Sequence, residues 1–198
     1  MTAKEAALAV SGTVSGSAEI NGVVIDSRKV KKGCLFVAIH GENFDGHDFI
    51  HSAFKAGAAA VMSHKDIDID SDIPIIRVKD TAKALLDLAK FYRGKFDIPI
   101  VSLTGSVGKT TTKEMLHKVM SKKYKTLKTQ GNLNNEIGLP MTLFGLDDTF
   151  EAAVVEMGMN HAGEISRLST AACATAAIIT NIGVSHIGNL GSRENILK

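Results

Sequence analysis

The chain has 198 residues, 44% hydrophobic, 22% charged and 5% aromatic, with a formal net charge of +2 at pH 7. That length suits one large domain or two modest ones, and so even a charge balance leaves no electrostatic footprint for nucleic acid. Trp is absent, which argues against a stacking platform for single strands, and no apolar run approaches the ~20 residues of a membrane span. The densest basic stretch, Lys122, Lys123 and Lys125, has the character of a solvated helix end. Cys34 and Cys173 lie far apart outside any CxxC spacing, as expected of incidental thiols in a reducing compartment. Residues 1–10 are alanine-rich but contain Lys4 and Glu5, so they lack the apolar core of a signal peptide. The expectation is a cytoplasmic protein.

In chain order, residues 23–25 form a short strand candidate that runs into Asp26, Ser27 and Arg28. Residues 34–39 form a buried strand between Gly33 and Gly41. Residues 48–56 show helical spacing, with Phe49, Ile50, Ala53 and Phe54 on one face and Gly57 as the stop. Residues 58–62 and 73–78 are further strands, separated by an acidic surface loop over 65–72. Residues 81–93 form a helix capped by Asp80 or Thr81, with Leu85, Leu88, Ala89 and Tyr92 on its apolar side. The domain boundary falls near residue 80, giving domains 1–80 and 81–198.

The second part alternates more regularly. Residues 98–103 are a strand, a glycine-rich loop follows, and residues 109–121 are a helix. Residues 124–127 are a short strand, and 137–144 are helical with Pro140 in the first turn. Residues 152–156 are a buried strand ending in a carboxylate, 161–170 a helix and 176–180 another buried strand. Apolar strands separated by helices predict an α/β fold with a parallel sheet covered on both faces. Ser192 looks like the cap of a last helix that stops after about one turn, too short to stand alone, so the sequence is expected to be truncated there.

Gly105, Ser106, Val107, Gly108, Lys109, Thr110 and Thr111 join a strand to a helix start. Such a junction is an anion site, because backbone N–H groups and the helix dipole point at the ligand. Lys109 offers a charge to the terminal phosphates of a nucleotide triphosphate, and Thr110 offers a hydroxyl to Mg²⁺. Leu103 stands where the full G-x-x-x-x-G-K-[ST] pattern has its first Gly. Glu156 ends a buried strand, where a carboxylate either holds Mg²⁺ or merely caps or faces solvent. His186 follows the next strand and would reach the same sheet edge, although a lone His is more often structural. Asn132, Asn134, Asn135 and Glu136 crowd one turn, as helix caps or as amides presented to a polar substrate.

Together these segments resemble the Mur ligases, the ATP-dependent amide ligases of peptidoglycan synthesis, and within them the MurF type that adds D-Ala-D-Ala. The resemblance rests on residues 104–115, 131–140, 155–165 and 180–186, and in the first part on 26–28 and 41–50. It runs nearly the whole chain in order, and Gly131 to Pro140 is its most specific stretch. It implies an N-terminal α/β domain for a UDP-substrate and a P-loop, ATPase-like central domain, here incomplete. It implies ATP and Mg²⁺, with UDP-N-acetylmuramoyl-tripeptide and D-Ala-D-Ala as partners, in a monomer. Thr110 and Glu156 would hold one Mg²⁺, His186 would contact a second, and Asn134 and Asn135 would lie near the reacting carboxylate. Ser27 and Arg28 would position the UDP-sugar, with His47 either joining them or serving the fold. The carbamylated lysine of the family would fall beyond Lys198. Two other readings remain open. One is a nucleotide- or UDP-sugar-binding module without ligase activity. The other is a different Mur-type ligase, which the Asn-rich stretch disfavours.

Overall fold

The computed structural model describes residues 1–41, 43–67 and 73–197. The chain divides into two compact units, Met1–Leu88 and Ala89–Lys198. The acidic loop expected over 65–72 lies partly outside the described residues, as do Glu42 and Lys198.

The first unit begins with α1 (Ala3–Ala9), an element that alanine content alone did not reveal. Its start is a capping box. The Glu5 N–H donates to Thr2 Oγ1 at 3.1 Å, and the Thr2 N–H donates to Glu5 Oε2 at 2.7 Å. Then follow β1 (Thr13–Val14), β2 (Gly22–Val24), β3 (Cys34–Val37), α2 (Ile50–Lys55), β4 (Ala60–Ser63), β5 (Ile75–Arg77) and α3 (Thr81–Arg93). The sheet order is β1-β5-β4-β3-β2, with β2 to β5 parallel and β1 antiparallel at the edge. β3 and β4 are buried at every position, as central parallel strands must be. Phe36, Ala38, Ile50, Ala53, Ala58 and Val61 form one core cluster beneath α2. The expected helix over 48–56 is split: Gly46–Phe49 is a 3₁₀ turn, α2 starts at Ile50, and Phe49 is exposed rather than packed. Asp45 causes the split by accepting the His47 N–H at 3.0 Å and so starting the chain as a tight turn.

Asp80 caps α3, accepting the Ala82 and Lys83 N–H groups at 2.8 and 3.1 Å. The helix crosses from the first unit into the second. The second unit continues with β6 (Ile100–Thr104), α4 (Lys109–Met120), β7 (Thr126–Lys128), α5 (Gly138–Leu143) and β8 (Ala152–Glu156). It ends with α6 (Glu164–Ala172), β9 (Ala176–Ile179), α7 (Ile187–Leu190) and α8 (Arg193–Leu197). All four of its strands are parallel, in the order β7-β8-β6-β9. The fold is mixed α/β with parallel sheets. Two expectations are corrected. α6 starts three residues later than its apolar spacing suggests, because Gly163 adopts φ +82 just before it. β9 is largely exposed rather than buried, because it is the sheet's edge strand, and Ile179 is 61% accessible.

Arg93 ties the second unit together. It is buried, and its guanidinium donates to the carbonyls of Phe96, Ile98, Ala172 and Cys173. A planar cation with five donors suits such a ring of carbonyls, and an ammonium does not. Arg93→Ala is expected to lower the unfolding free energy by about 3 kcal/mol in urea titrations, with Arg93→Lys recovering less than half of it.

Candidate functional site

In the second unit β6 delivers the chain into the glycine-rich loop, and α4 starts at Lys109. Gly105 has φ +139, and a Cβ there would stand 2.1 Å from Thr180 Oγ1, so only glycine fits. Gly108 caps α4 from the left-handed region and provides no side-chain cap. The first-turn amides of α4 therefore have no acceptor inside the helix or from a capping side chain, which is the anion-binding arrangement. The loop is braced by the segment after β9. Thr180 Oγ1 donates to Val107 O at 2.7 Å, Asn181 Oδ1 accepts the Val107 N–H at 3.2 Å, and Ser106 Oγ accepts the Gly183 N–H at 2.8 Å. Ser185 Oγ donates to Ser106 O at 3.1 Å. Val107 itself points outward, 63% accessible. The Lys109 ammonium folds back onto Gly105 O at 2.7 Å, at the mouth of the loop. Thr110 and Thr111 are exposed beside it.

A cavity of ≈ 410 Å³ opens at this sheet edge, and Thr104, Gly105, Ser106, Lys109, Asn181 and His186 are among its lining residues. His186 is thus brought beside the loop, as its place after β9 suggested. It has φ +61, a left-handed backbone that a non-glycine residue adopts only under constraint. Thr110 and Glu156 do not line this cavity.

Glu156 lies beneath the surface at the carboxyl end of β8, 2% accessible and paired in register with Leu103 of β6. Its N–H donates to Thr129 Oγ1 at 3.0 Å, and its Oε1 accepts from Asn134 Nδ2 at 2.8 Å. Among the described residues its buried Oε2 has no hydrogen-bond donor, and the buried Lys113 ammonium lies 3.5 Å away. A buried carboxylate oxygen left without a donor fits a hard cation such as Mg²⁺, which takes oxygen ligands. Among the described residues no group of three or more His, Cys, Asp or Glu side chains gathers to hold a metal. A Mg²⁺ shared with phosphates needs only one or two carboxylates. The Asn-rich turn divides its labour: Asn134 holds Glu156, whereas Asn135 Oδ1 accepts the Ile137 and Gly138 N–H groups and caps α5.

The first unit has its own polar cluster. Asp26 Oδ1 accepts the Arg28 N–H and Nε–H, and its Oδ2 pairs with Arg28 Nη2 at 2.9 Å. That embrace lowers the Asp26 pKa to about 2 and leaves the Arg28 side chain in solvent. Ser27 is the first residue of the same 3₁₀ turn. The His47 side chain is 7% accessible, its Nδ1 2.5 Å from Asp45 Oδ1, and its Nε2 has no partner among the described residues. Its ring meets that of His64 edge-on at 4.3 Å. Burial, together with the charges of His47 and Lys65, pushes the His64 imidazole down from its usual pKa. Asp45 also pairs with Lys65 and His40.

The bracing roles of Thr180, Asn181 and Ser185 and the burial of Lys113 were not read from the sequence. The four-residue step from Lys109 to Lys113 was the one available signal, since it puts both on one face of α4.

Two predictions follow from these contacts. Gly105→Ala should leave the loop unable to close under Thr180, seen as lost nucleotide affinity with little change in far-ultraviolet circular dichroism. The hydrogen bond from Lys65, followed by that from the His47 N–H, holds the Asp45 carboxyl far below the usual carboxylate range. A depressed folded-state pKa means stability that is present above the unfolded value of about 4 and lost as pH falls below it. Asp45→Asn should therefore lower the urea midpoint at neutral pH and flatten its decline in acid.

Comparison with known proteins gives the family. Residues 103–198 match the Mur ligase middle domain, and residues 19–93 match the model described as Mur ligase family, catalytic domain. The UDP-N-acetylmuramoyl-tripeptide--D-alanyl-D-alanine ligase of Bacillus subtilis (strain 168) is 45% identical, over 98% of this chain and 44% of its own. The crystal structure of MurF from Acinetobacter baumannii superposes with a TM-score of 0.89 at 37% identity, covering 98% of this chain and 44% of that one. The MurF ligase from Thermotoga maritima in complex with ADP gives 0.82 at 38% identity, covering 89% and 41%. The chain thus spans less than half the length of these relatives. Its two matched segments, its parallel sheets and its glycine-rich loop agree on one conclusion: the chain belongs to the Mur ligase family and carries that family's N-terminal and middle domains.

Proposed function

We propose that the protein of which these residues form the N-terminal and middle domains is an ATP-dependent amide ligase. It joins D-Ala-D-Ala to UDP-N-acetylmuramoyl-tripeptide in peptidoglycan precursor synthesis. The observation that carries this reading is the pairing of a glycine-rich loop on β6 with a buried carboxylate oxygen lacking a donor on the adjacent β8.

The chemistry requires an anionic carboxylate to attack the γ-phosphate of ATP, giving an acyl phosphate that the amine of D-Ala-D-Ala then displaces. Two anions must meet, so the electrostatic demand is severe. The α4 amides and Lys109 meet part of it: Lys109 leaves Gly105 O and turns to the β- and γ-phosphates. Mg²⁺ when bound neutralises phosphate charge and orients the transferred group. Thr110 and Glu156 would supply oxygen ligands to it. His186, brought beside the loop by the segment after β9, would contact a second Mg²⁺. Asn134 keeps Glu156 aimed, and the exposed side of Asn135 borders the path of the tripeptide carboxylate. In the first unit Ser27, Arg28 and His47 belong to the UDP-sugar site. The exposed Arg28 would exchange its partner Asp26 for the ligand, whereas His47, its side chain largely buried, would support the site from beneath. The boundary between the UDP-substrate and ATP domains is assigned near residue 80, at the start of α3.

The chain alone is expected to bind UDP-tripeptide without turnover, while the full-length protein is expected to be active. The experiment measures ADP release in the presence of UDP-tripeptide and D-Ala-D-Ala. The full-length protein should release ADP, and Lys109→Ala should reduce kcat at least ~100-fold, the range expected for loss of a transition-state charge contact. UDP-tripeptide binding should survive that change. Absence of turnover from the full-length protein would leave the alternative, a binding module without ligase activity.

A further inference from the structure

Lys113 is among the most buried side chains of the protein at 1% accessibility, although it carries a charge. Such an ion persists only where oxygens surround it. Three do so, each at long range: Gly131 O at 3.4 Å, Glu156 Oε2 at 3.5 Å and Glu114 Oε1 at 3.6 Å. The ammonium is shared among them rather than locked to one. Glu114 is in turn held by Lys128 on β7. Glu156 differs at its two oxygens: Oε1 is fixed by Asn134, while among the described residues Oε2 has only this distant ammonium.

We propose that Lys113 is an exchangeable internal counter-ion of Glu156. In the metal-free protein it neutralises and positions the carboxylate, and it opposes a divalent cation at Oε2 until nucleotide phosphates arrive with it. This rests on the reading of Glu156 as a Mg²⁺ ligand. Two like charges within one small buried site repel strongly. The phosphates of a bound nucleotide overcome that repulsion, and Lys113 then retains Gly131 O and Glu114. Lys113 is thus a positioning residue, and its effect is an order of binding: metal together with nucleotide, not before it.

The test is Mn²⁺ binding to the chain, followed by electron paramagnetic resonance and by the metal-induced shift in Tm, with and without ATP. Wild type should bind Mn²⁺ weakly without ATP. Lys113→Met should bind it at least ~10-fold more tightly without ATP, as loss of a neighbouring positive charge requires, and should show the larger Tm shift. The double variant Lys113→Met, Glu156→Gln should lose both gains. A Lys113→Met protein that folds only when Mn²⁺ is present also supports the proposal, because the metal then replaces the ammonium. Unchanged Mn²⁺ affinity in Lys113→Met overturns it. So does failure of both Lys113→Met and Lys113→Gln to fold with or without metal. The underlying reading fails separately, if Glu156→Gln binds Mn²⁺ with ATP as well as wild type does.

Discussion

A carboxylate buried at the end of β8 is the constraint around which the second unit is arranged. Glu156 is too polar to sit there unaided, so neighbouring segments converge on it. Thr129 accepts its N–H, Asn134 donates to one oxygen, and Lys113 faces the other. Asn134 O in turn accepts the Gly158 N–H at 2.8 Å, which docks the Asn-rich turn against the strand's exit. The parallel register of Leu103 with Glu156 then fixes where the glycine-rich loop begins, because Met157 N–H donates to Leu103 O at 2.8 Å. The loop and the carboxylate leave neighbouring strands at the same edge, the place where open parallel sheets bind ligands.

The loop is held from its other side by the segment after β9. That brace uses short polar side chains on backbone groups. Its cost is local backbone strain at His186 and a glycine at position 105 that no other residue can replace. The two units thus show two kinds of polar cluster. In the first, Asp45 is central and its partners are cations and imidazoles; in the second, the central acid keeps one oxygen without a hydrogen bond.

Much of this was legible from residue pattern. The runs at β3, β4 and β8 are apolar because both faces of a central parallel strand are covered, and they fell where they were read. The glycine-rich loop was legible because its mechanism demands glycines at a strand–helix junction. Other features were hidden for physical reasons. α1 was passed over as alanine-rich sequence, although Thr2 and Glu5 spell a capping box. β1 is two residues long and carries no periodicity. The exposure of β9 depends on strand order, which hydropathy does not encode. Asn134 and Asn135 looked alike in sequence, yet one orients a carboxylate and the other caps a helix, because only the fold decides which backbone groups each can reach. Lys113 was given no role in the sequence, and only the fold shows it buried against Glu156.

We propose that the edge formed by the loop after β6 and the end of β8 is a triphosphate and metal site. Backbone amide shifts recorded as MgATP is added to the chain test it most directly. The account predicts the largest shifts at Gly108, Lys109, Thr110 and Thr111, with smaller ones at Glu156 and His186, and little change around Asp45. Shifts centred away from the loop, or no saturable shift, would contradict it.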